Sequence, residues 1–360
     1  MSRSNILAVD AMGGDNAPQA IIAGLELAAL RHPDATFLVF GDEAVLAPLI
    51  ARTKRLKARC TLRHTADIIT ADMKPTLALR LRDSSLRRAI NAVLAGEAAG
   101  VISAGNTGAL LALSKIVLKT MTGIDRPAMA AIAPSAKGDV VLLDLGLNVI
   151  YDARNLVEFA LMGEMFAKIV LGLPAPSFGL LNIGSEEGKG DEILRSAAAM
   201  LRESPIAKQF YGFVEGHDIA AGTVDVIVTD GFTGNVALKT GEGALKLFGE
   251  LLKRVFNSGP FAKMGYVMAR GGLKRLRAVL DPRKYNGAVL LGLNGIVVKS
   301  HGGADAEGFA HAVAVAINMI VNDFNNRIAE GMAAMDRAIL ADDKLAAATL
   351  GATSDTSTNV

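Results

Sequence analysis

Residues 100–118 read G-V-I-S-A-G-N-T-G-A-L-L-A-L-S-K-I-V-L. The apolar run Gly100-Val101-Ile102 stops abruptly at Ser103-Ala104-Gly105-Asn106-Thr107-Gly108. From Ala109 to Leu118 the apolar spacing is helical. This predicts a strand, a tight turn and a helix in immediate succession. The turn residues are small, so backbone N–H groups can approach a ligand closely. N–H groups at a helix start lack intrahelical partners and carry partial positive charge, which favours an anion. Ser103, Asn106 and Thr107 add side-chain donors, which marks Ser103, Gly105, Asn106, Thr107 and Gly108 as candidate phosphate-binding residues. The same residues also suit a plain turn with a capping Asn or Thr.

The unit recurs on both sides. Upstream, Ile6 to Val9 is an apolar run ending at Asp10, followed by the turn Ala11 to Pro18 and helical spacing from Ala20 to Leu30. Thr36 to Phe40 and Arg59 to Arg63 are further strands, and Ser84 is a plausible N-cap for a helix from Ser85 to Ala98. Downstream, Ala128 to Ala133 and Val140 to Leu145 flank a Pro/Gly/Asp loop and predict a β-hairpin, placed at an antiparallel edge of the sheet. Phe178 to Ile183, Phe210 to Val214 and Val224 to Thr229 are strands in the βα rhythm; Ala288 to Leu291 and Ile296 to Lys299 follow later. Alternating strands and helices predict a doubly wound, mostly parallel α/β sheet flanked by helices. One large catalytic domain over residues 1–335 is expected, with residues 250–284 as a helical hairpin extension. The Thr/Ser/Ala-rich end, 336–360, is expected to be a flexible tail.

Ligands of such sheets bind beyond the carboxyl ends of the strands. Four turns are expected there on one edge: Asp10 to Asn16, Ser103 to Gly108, Gly184 to Gly190, and Asp230 to Asn235. Together they predict a site for a small oxyanion, although each alone satisfies turn geometry.

Composition narrows the class. The 360 residues are 51% hydrophobic, which allows a large core and excludes general disorder. The net charge of +2 calls for no nucleic acid partner. Cys60 is the only cysteine, so neither an internal disulfide nor a Cys-based metal site is possible; a reducing cytoplasm is expected. The start, Met1 to Asp10, meets an acid after four apolar residues and does not read as a signal peptide. No run approaches the roughly 18 apolar residues of a spanning helix. The five histidines show no metal-ligand spacing, and no metal or organic cofactor is expected.

One segment breaks the rhythm. Lys253 to Lys284 carries nine basic residues against Asp281 alone, among scattered large apolar residues. Lys274, Arg275 and Arg277 form its densest cluster. It suits an anionic membrane surface or an acidic carrier protein, and equally a helical hairpin at a subunit interface.

Several strings taken together resemble the PlsX family, the phosphate acyltransferases of bacterial phospholipid synthesis. They are V-D-A-M-G-G-D-N-A-P at Val9 to Pro18, S-A-G-N-T-G-A at Ser103 to Ala109, D-R-P-A at Asp125 to Ala128, and L-L-N-I-G-S-E-E-G-K-G at Leu180 to Gly190. V-T-D-G-F-T-G-N-V-A-L-K at Val228 to Lys239, Y-N-G-A-V-L-L-G-L at Tyr285 to Leu293 and H-G-G at His301 to Gly303 extend the likeness over about residues 5 to 330. The resemblance implies attack of inorganic phosphate on the thioester of a long-chain acyl-acyl carrier protein, giving acyl phosphate. It also implies a homodimer, a fold akin to phosphotransacetylase and isocitrate dehydrogenase, and hand-over of product to a membrane glycerol-phosphate acyltransferase. The chain departs from the pattern at Leu147, where Ala is expected, at Ile150-Tyr151-Asp152 and at His217.

Such a reaction needs a held phosphate, donors at the thioester oxygen and exclusion of water. Phosphate dianion is itself nucleophilic, and no Gly-x-Ser-x-Gly elbow occurs, so positioning and electrostatics carry the rate. Lys189, between two glycines, is a candidate cation for phosphate or oxyanion; Asn235 is a candidate donor at a helix start. Asp10 ends the first strand, as a base or orienting carboxylate would, and His301 could protonate the leaving thiolate. Each has a structural alternative: a surface Lys, two capping residues and a satisfied His. A nicotinamide oxidoreductase is the competing enzyme class, but Asp-Ala-Met-Gly-Gly-Asp at Asp10 to Asp15 lacks G-x-G-x-x-G and places carboxylates where pyrophosphate would lie. An anion-sensing or lipid-binding regulator is the non-enzyme alternative.

Overall fold

A computed structural model describes residues 5–335 and residue 337. The tail expected over 336–360 therefore falls outside the described residues, save residue 337. The chain opens as β1 (Ile6–Asp10), α1 (Gln19–Arg31), β2 (Thr36–Gly41), α2 (Glu43–Ala51) and β3 (Cys60–His64). A one-turn α3 (Pro75–Ala78) and α4 (Ser85–Leu94) lead into β4 (Gly100–Ser103) and α5 (Thr107–Leu118). Next come the hairpin β5 (Ala128–Ser135) and β6 (Gly138–Leu143), then α6 (Ala153–Phe166), β7 (Phe178–Leu181) and α7 (Glu192–Glu203). The last part holds β8 (Phe210–Val214), α8 (Gly216–Ala221), β9 (Val226–Val228), α9 (Gly231–Phe256), α10 (Pro260–Val279), β10 (Ala288–Leu291), β11 (Ile296–Lys299) and α11 (Ala306–Val321).

The helix starts follow from polar residues at the expected places. Ser84 accepts from the Arg87 N–H, Asn106 from Ala109, Asp230 from Phe232 and Thr233, and Asp305 from Gly308. Asp152 and Asn155 cap each other's backbone reciprocally at the start of α6.

Among the described residues the strands form one sheet in the order β3-β2-β1-β4-β11-β10-β5-β6-β9-β7-β8. The first five run parallel, and β6, β9, β7 and β8 run parallel to each other. Between these blocks the pairs β11–β10, β10–β5 and β5–β6 are antiparallel. Three reversals leave the two blocks pointing in opposite directions. The β5–β6 hairpin thus exists but lies in the middle of the sheet, not at its edge. Its β5 side is paired to β10, which arrives late in sequence.

Both faces are covered, as a mostly parallel sheet requires. Leu7 and Val9 of β1 belong to the core cluster on the face of α1 and α11, while Ala8 between them belongs to the cluster on the opposite face, with α4 and α5. Helices α1 and α11 lie together, tied at the surface by Arg31 and Glu307 at 2.6 Å. Beneath that ion pair Phe309 is fully buried. Helices α9 and α10 behave differently: α10 buries no residue, and α9 buries only Gly231 and Gly234 at its start. They project as a hairpin with a groove of about 740 Å³ between them. Among the described residues, no helix is long and apolar enough to cross a membrane.

Phe309→Ala should empty the α1–α11 contact and lower the unfolding free energy by about 3–5 kcal/mol. Denaturant titration of the purified protein checks this.

Candidate functional site

Three strands end side by side on what we call the upper edge. Asp10 of β1 is level with Ser103 of β4, and Ser103 is level with Lys299 of β11. Residues level across parallel strands point to one face, so a carboxylate, a hydroxyl and an ammonium form a row. Asp10 is only 2% exposed. Its oxygens accept from the Ser85 hydroxyl at 2.6 Å, the Ser103 hydroxyl at 2.7 Å and the Met12 N–H at 3.3 Å. Burial pushes its carboxyl above the usual range, and these donors pull it part of the way back.

Lys299 is 9% exposed. Its ammonium donates to the Ala104 carbonyl at 3.3 Å and to the carbonyl of Ser300. Burial pushes it down to about 8, opposed by the charges of Asp10 and Asp15.

Three loops close over this row. At Gly13 any Cβ would lie 2.5 Å from Asp10 Oδ2 and 2.8 Å from the Gly105 nitrogen, so only glycine lets the first two turns touch. Asp15 N–H donates to the Gly302 carbonyl, and the Asn16 amide to the carbonyls of Gly303 and Ala304. His301 is exposed; its N–H donates to Asn286 Oδ1, and its Nδ1 accepts from the Gly303 N–H.

These contacts revise several expectations. The Ser103 proton goes to Asp10 and its oxygen accepts from the Gly105 N–H, so Ser103 shapes the turn instead of donating to a ligand. The Asn106 side chain caps α5 and donates to the carbonyls of Thr70, Ala71 and Met73, so it holds the 67–75 loop. Gly108 is small because Pro75 lies 2.9 Å from where its Cβ would be, which is packing against α3 and not ligand approach. Free of partners among the described residues are the first-turn N–H groups of Thr107 and Gly108, beside the exposed Thr107 side chain. Sequence reasoning missed two members. Ser85 reads only as a helix start, and Lys299 only as the end of the apolar run Ile296 to Val298.

The other two turns are elsewhere. Strands β6, β7 and β9 end on the opposite, lower edge, because their block runs the other way. Strand β9 is six strand positions from β1, about 29 Å at roughly 4.8 Å per strand. The expectation that four turns share one edge is therefore wrong: two lie on each. On the lower edge Asp144 is buried and accepts from the N–H groups of Met129, Leu147 and Asn148 and from the Asn148 amide. Burial raises its carboxyl against these donors. Tyr151 is pushed up to about 12, by burial first and then by Asp230 and Asp191. Lys189 is exposed, in a loop pinned by the Asn182 amide on its carbonyl. Asn235 is exposed and lies one turn inside α9, whose cap is Asp230, so it does not open that helix. Around them Val149, Ile150, Ile183 and Phe232 are exposed.

On α10, Lys274, Arg275 and Arg277 make no ion pair among the described residues. Exposed Phe261, Met264, Val267 and Met268 precede them on the same helix.

The mostly parallel α/β sheet flanked by helices is a fold shared with solved phosphotransacylases. A phosphotransacetylase from Streptococcus pyogenes matches over 88% of this chain and 94% of its own, at TM-score 0.59 and 16% identity. A branched-chain phosphotransacylase from Enterococcus faecalis matches over 88% and 98%, at TM-score 0.55 and 17% identity. At that identity they establish the fold. Sequence relatives are much nearer. A phosphate acyltransferase from Acidiphilium cryptum is 70% identical over 94% of this chain and 89% of its own. One from Granulibacter bethesdensis is 64% identical over 92% and 90%. The family described as fatty acid synthesis protein matches residues 6–327. The chain belongs to that family, the PlsX phosphate acyltransferases.

Ser85→Ala should leave Asp10 with one hydroxyl donor fewer in a dry site. We expect a loss of about 1–3 kcal/mol of unfolding free energy, read by denaturant titration against wild type.

Proposed function

We propose that this enzyme transfers the acyl group of a long-chain acyl-acyl carrier protein to inorganic phosphate. A phosphate oxygen attacks the thioester carbon, a tetrahedral oxyanion forms, the C–S bond breaks, and acyl phosphate and the carrier thiol leave. The product then enters glycerophospholipid synthesis through a membrane glycerol-phosphate acyltransferase. The observation that carries this reading is the upper edge: unpartnered N–H groups at the start of α5, beside a buried ammonium and under touching glycine turns. Thr107 and Gly108 offer backbone donors to phosphate there, with the positive end of α5 behind them. Asp10 does not reach substrate. It fixes Ser103, and through Ser103 the Gly105 N–H. His301, whose Nδ1 accepts from the Gly303 N–H, offers its Nε2–H as a hydrogen-bond donor to the leaving thiolate, and the proton that the hydrogen phosphate loses on forming acyl phosphate passes to the released thiol. No protein nucleophile is needed; burial raises the Cys60 thiol, which makes it a poor one. The experiment is direct. Purified protein, acyl carrier protein thioester and phosphate should release free thiol only when phosphate is present. Thioester binding without release would favour a sensor, and a nicotinamide absorbance change would favour the oxidoreductase.

Lys189 and Asn235 retain a catalytic place in this proposal only through a second copy. In a homodimer, the lower edge of one protomer can face the upper edge of the other and supply a cation and a donor to the oxyanion. Lys189→Ala should then lower turnover about 10²-fold with the fold intact. Co-expression with Asp10→Asn should restore about a quarter of wild-type activity, because half the dimers are mixed and each mixed dimer keeps one intact site. No restoration would remove Lys189 and the lower edge from the catalytic site.

The α9–α10 hairpin is proposed to hold the enzyme peripherally on the cytoplasmic membrane face. Its apolar residues insert and its bases meet anionic lipid, each contributing about 1 kcal/mol. Reversing the charge of Lys274, Arg275 and Arg277 should abolish salt-sensitive co-sedimentation with anionic liposomes yet leave soluble thiol release largely unchanged. Persistent sedimentation would assign the hairpin to a subunit interface, and a loss of carrier-protein affinity alone would assign its charge to the substrate.

A further inference from the structure

We propose that Lys299 is the phosphate-holding cation of this site, donating to a phosphate oxygen through the ammonium N–H that the Ala104 and Ser300 carbonyls leave unused. The inference rests on the phosphate acyltransferase reading above. Three observations carry it.

First, position: Lys299 stands level with Ser103 at the end of β11, and its Nζ touches the carbonyl of Ala104, the residue that begins the turn Ala104 to Gly108. The free N–H groups of Thr107 and Gly108 belong to that same turn. Ammonium and backbone donors therefore approach one space from two strands.

Second, an unbalanced charge: both acceptors of Lys299 are neutral carbonyls, and no carboxylate lies within ion-pair distance of it among the described residues. The nearest acids, Asp10 and Asp15, favour its charge through space without pairing with it. Asp10 on β1 is already engaged by Ser85, Ser103 and Met12. Asp15, in the β1–α1 turn, is exposed and lies toward Gly302 and Gly303. A buried ammonium satisfied only by carbonyl dipoles is costly, and an arriving anion removes that cost.

Third, access: Thr107, in the turn whose Ala104 carbonyl Lys299 holds, and His301, two residues after Lys299, are exposed, so the segments on which the ammonium sits reach solvent.

The alternative is structural, with Lys299 serving only to staple two loops through the carbonyls. The two roles separate cleanly. Lys299→Met keeps the apolar stem and removes the ammonium; Lys299→Arg keeps a cation. In the thiol-release assay, Lys299→Met should raise the KM for phosphate about tenfold or more, with little change in the KM for acyl carrier protein thioester. Lys299→Arg should recover part of the loss. Without any acyl donor, millimolar phosphate should raise the melting temperature of wild type and not that of Lys299→Met.

Wild type alone gives a further reading. With its ammonium held down to about 8 by burial, and Asp10, Asp15 and His301 the titratable groups around it, the protonated form binds phosphate below that pH. The KM for phosphate should climb as pH rises through about 8 in wild type and stay level over that range in Lys299→Arg. A proportional loss of kcat and both KM values, or a phosphate-induced stabilisation that survives in Lys299→Met, would overturn the proposal in favour of the staple. If wild type releases no thiol with phosphate, the acyltransferase reading falls, while the melting shift still decides whether Lys299 binds the anion.

Discussion

Asp10 is a carboxylate with almost no route to water, and its need for donors organises the upper edge. Ser85 comes from the start of α4, Ser103 from the end of β4 and Met12 from the loop that follows Asp10 itself. Leaving such an oxygen unsatisfied costs more than any one of these bonds gains, so the three segments are held in one arrangement. Ser103 passes that constraint to the Gly105 N–H, and the contact of Gly13 with Gly105 passes it to the first loop. A rigid frame for a small anion results from satisfying one buried acid. The rate of a reaction that needs only positioning depends on such rigidity.

The second constraint is direction. A doubly wound sheet normally gathers its ligand-binding loops on one edge. Here β10 and β5 reverse the sheet between two parallel blocks, and the loops divide. The chain thus presents two chemically different edges: one with a buried charged row, the other with exposed Lys189 and Asn235 among exposed apolar side chains.

How legible this was follows from the range of each signal. The βα units, the caps at Ser84 and Asn106 and the hairpin at 128–145 rest on neighbours within a few residues, and the sequence carries them openly. The hairpin's central position does not, because it depends on β10, more than 140 residues further on, adding to β5. The four-turn site failed for the same reason: turn composition is local, strand direction is not. Lys299 and Ser85 were invisible as site residues because one ends an apolar strand and the other opens a helix, both ordinary places. Strand register puts Lys299 in the row of Asp10 and Ser103, and the packing of α4 against β1 brings the Ser85 hydroxyl to Asp10. Conversely, the Asn106 side chain and the lack of a side chain at Gly108 looked like ligand features because capping and close packing call for the same small polar residues that phosphate does.

The position of β10 and β11 also bears on how the chain comes to be folded. Strand β4 has β1 on one side and β11 on the other; β5 has β6 and β10. Until residues 288–299 have been made, each block therefore ends in a bare strand edge, and the two blocks have no backbone bond between them across the sheet. Those edges are hydrophobic and ready to pair with any other strand. Between the synthesis of β9 and that of β10 the nascent protein is two half-sheets awaiting a late β-ribbon, a topology of distant contacts that folds slowly and exposes itself to mispairing. The row of Asp10, Ser103 and Lys299 shares that schedule, since its third strand is the last to arrive.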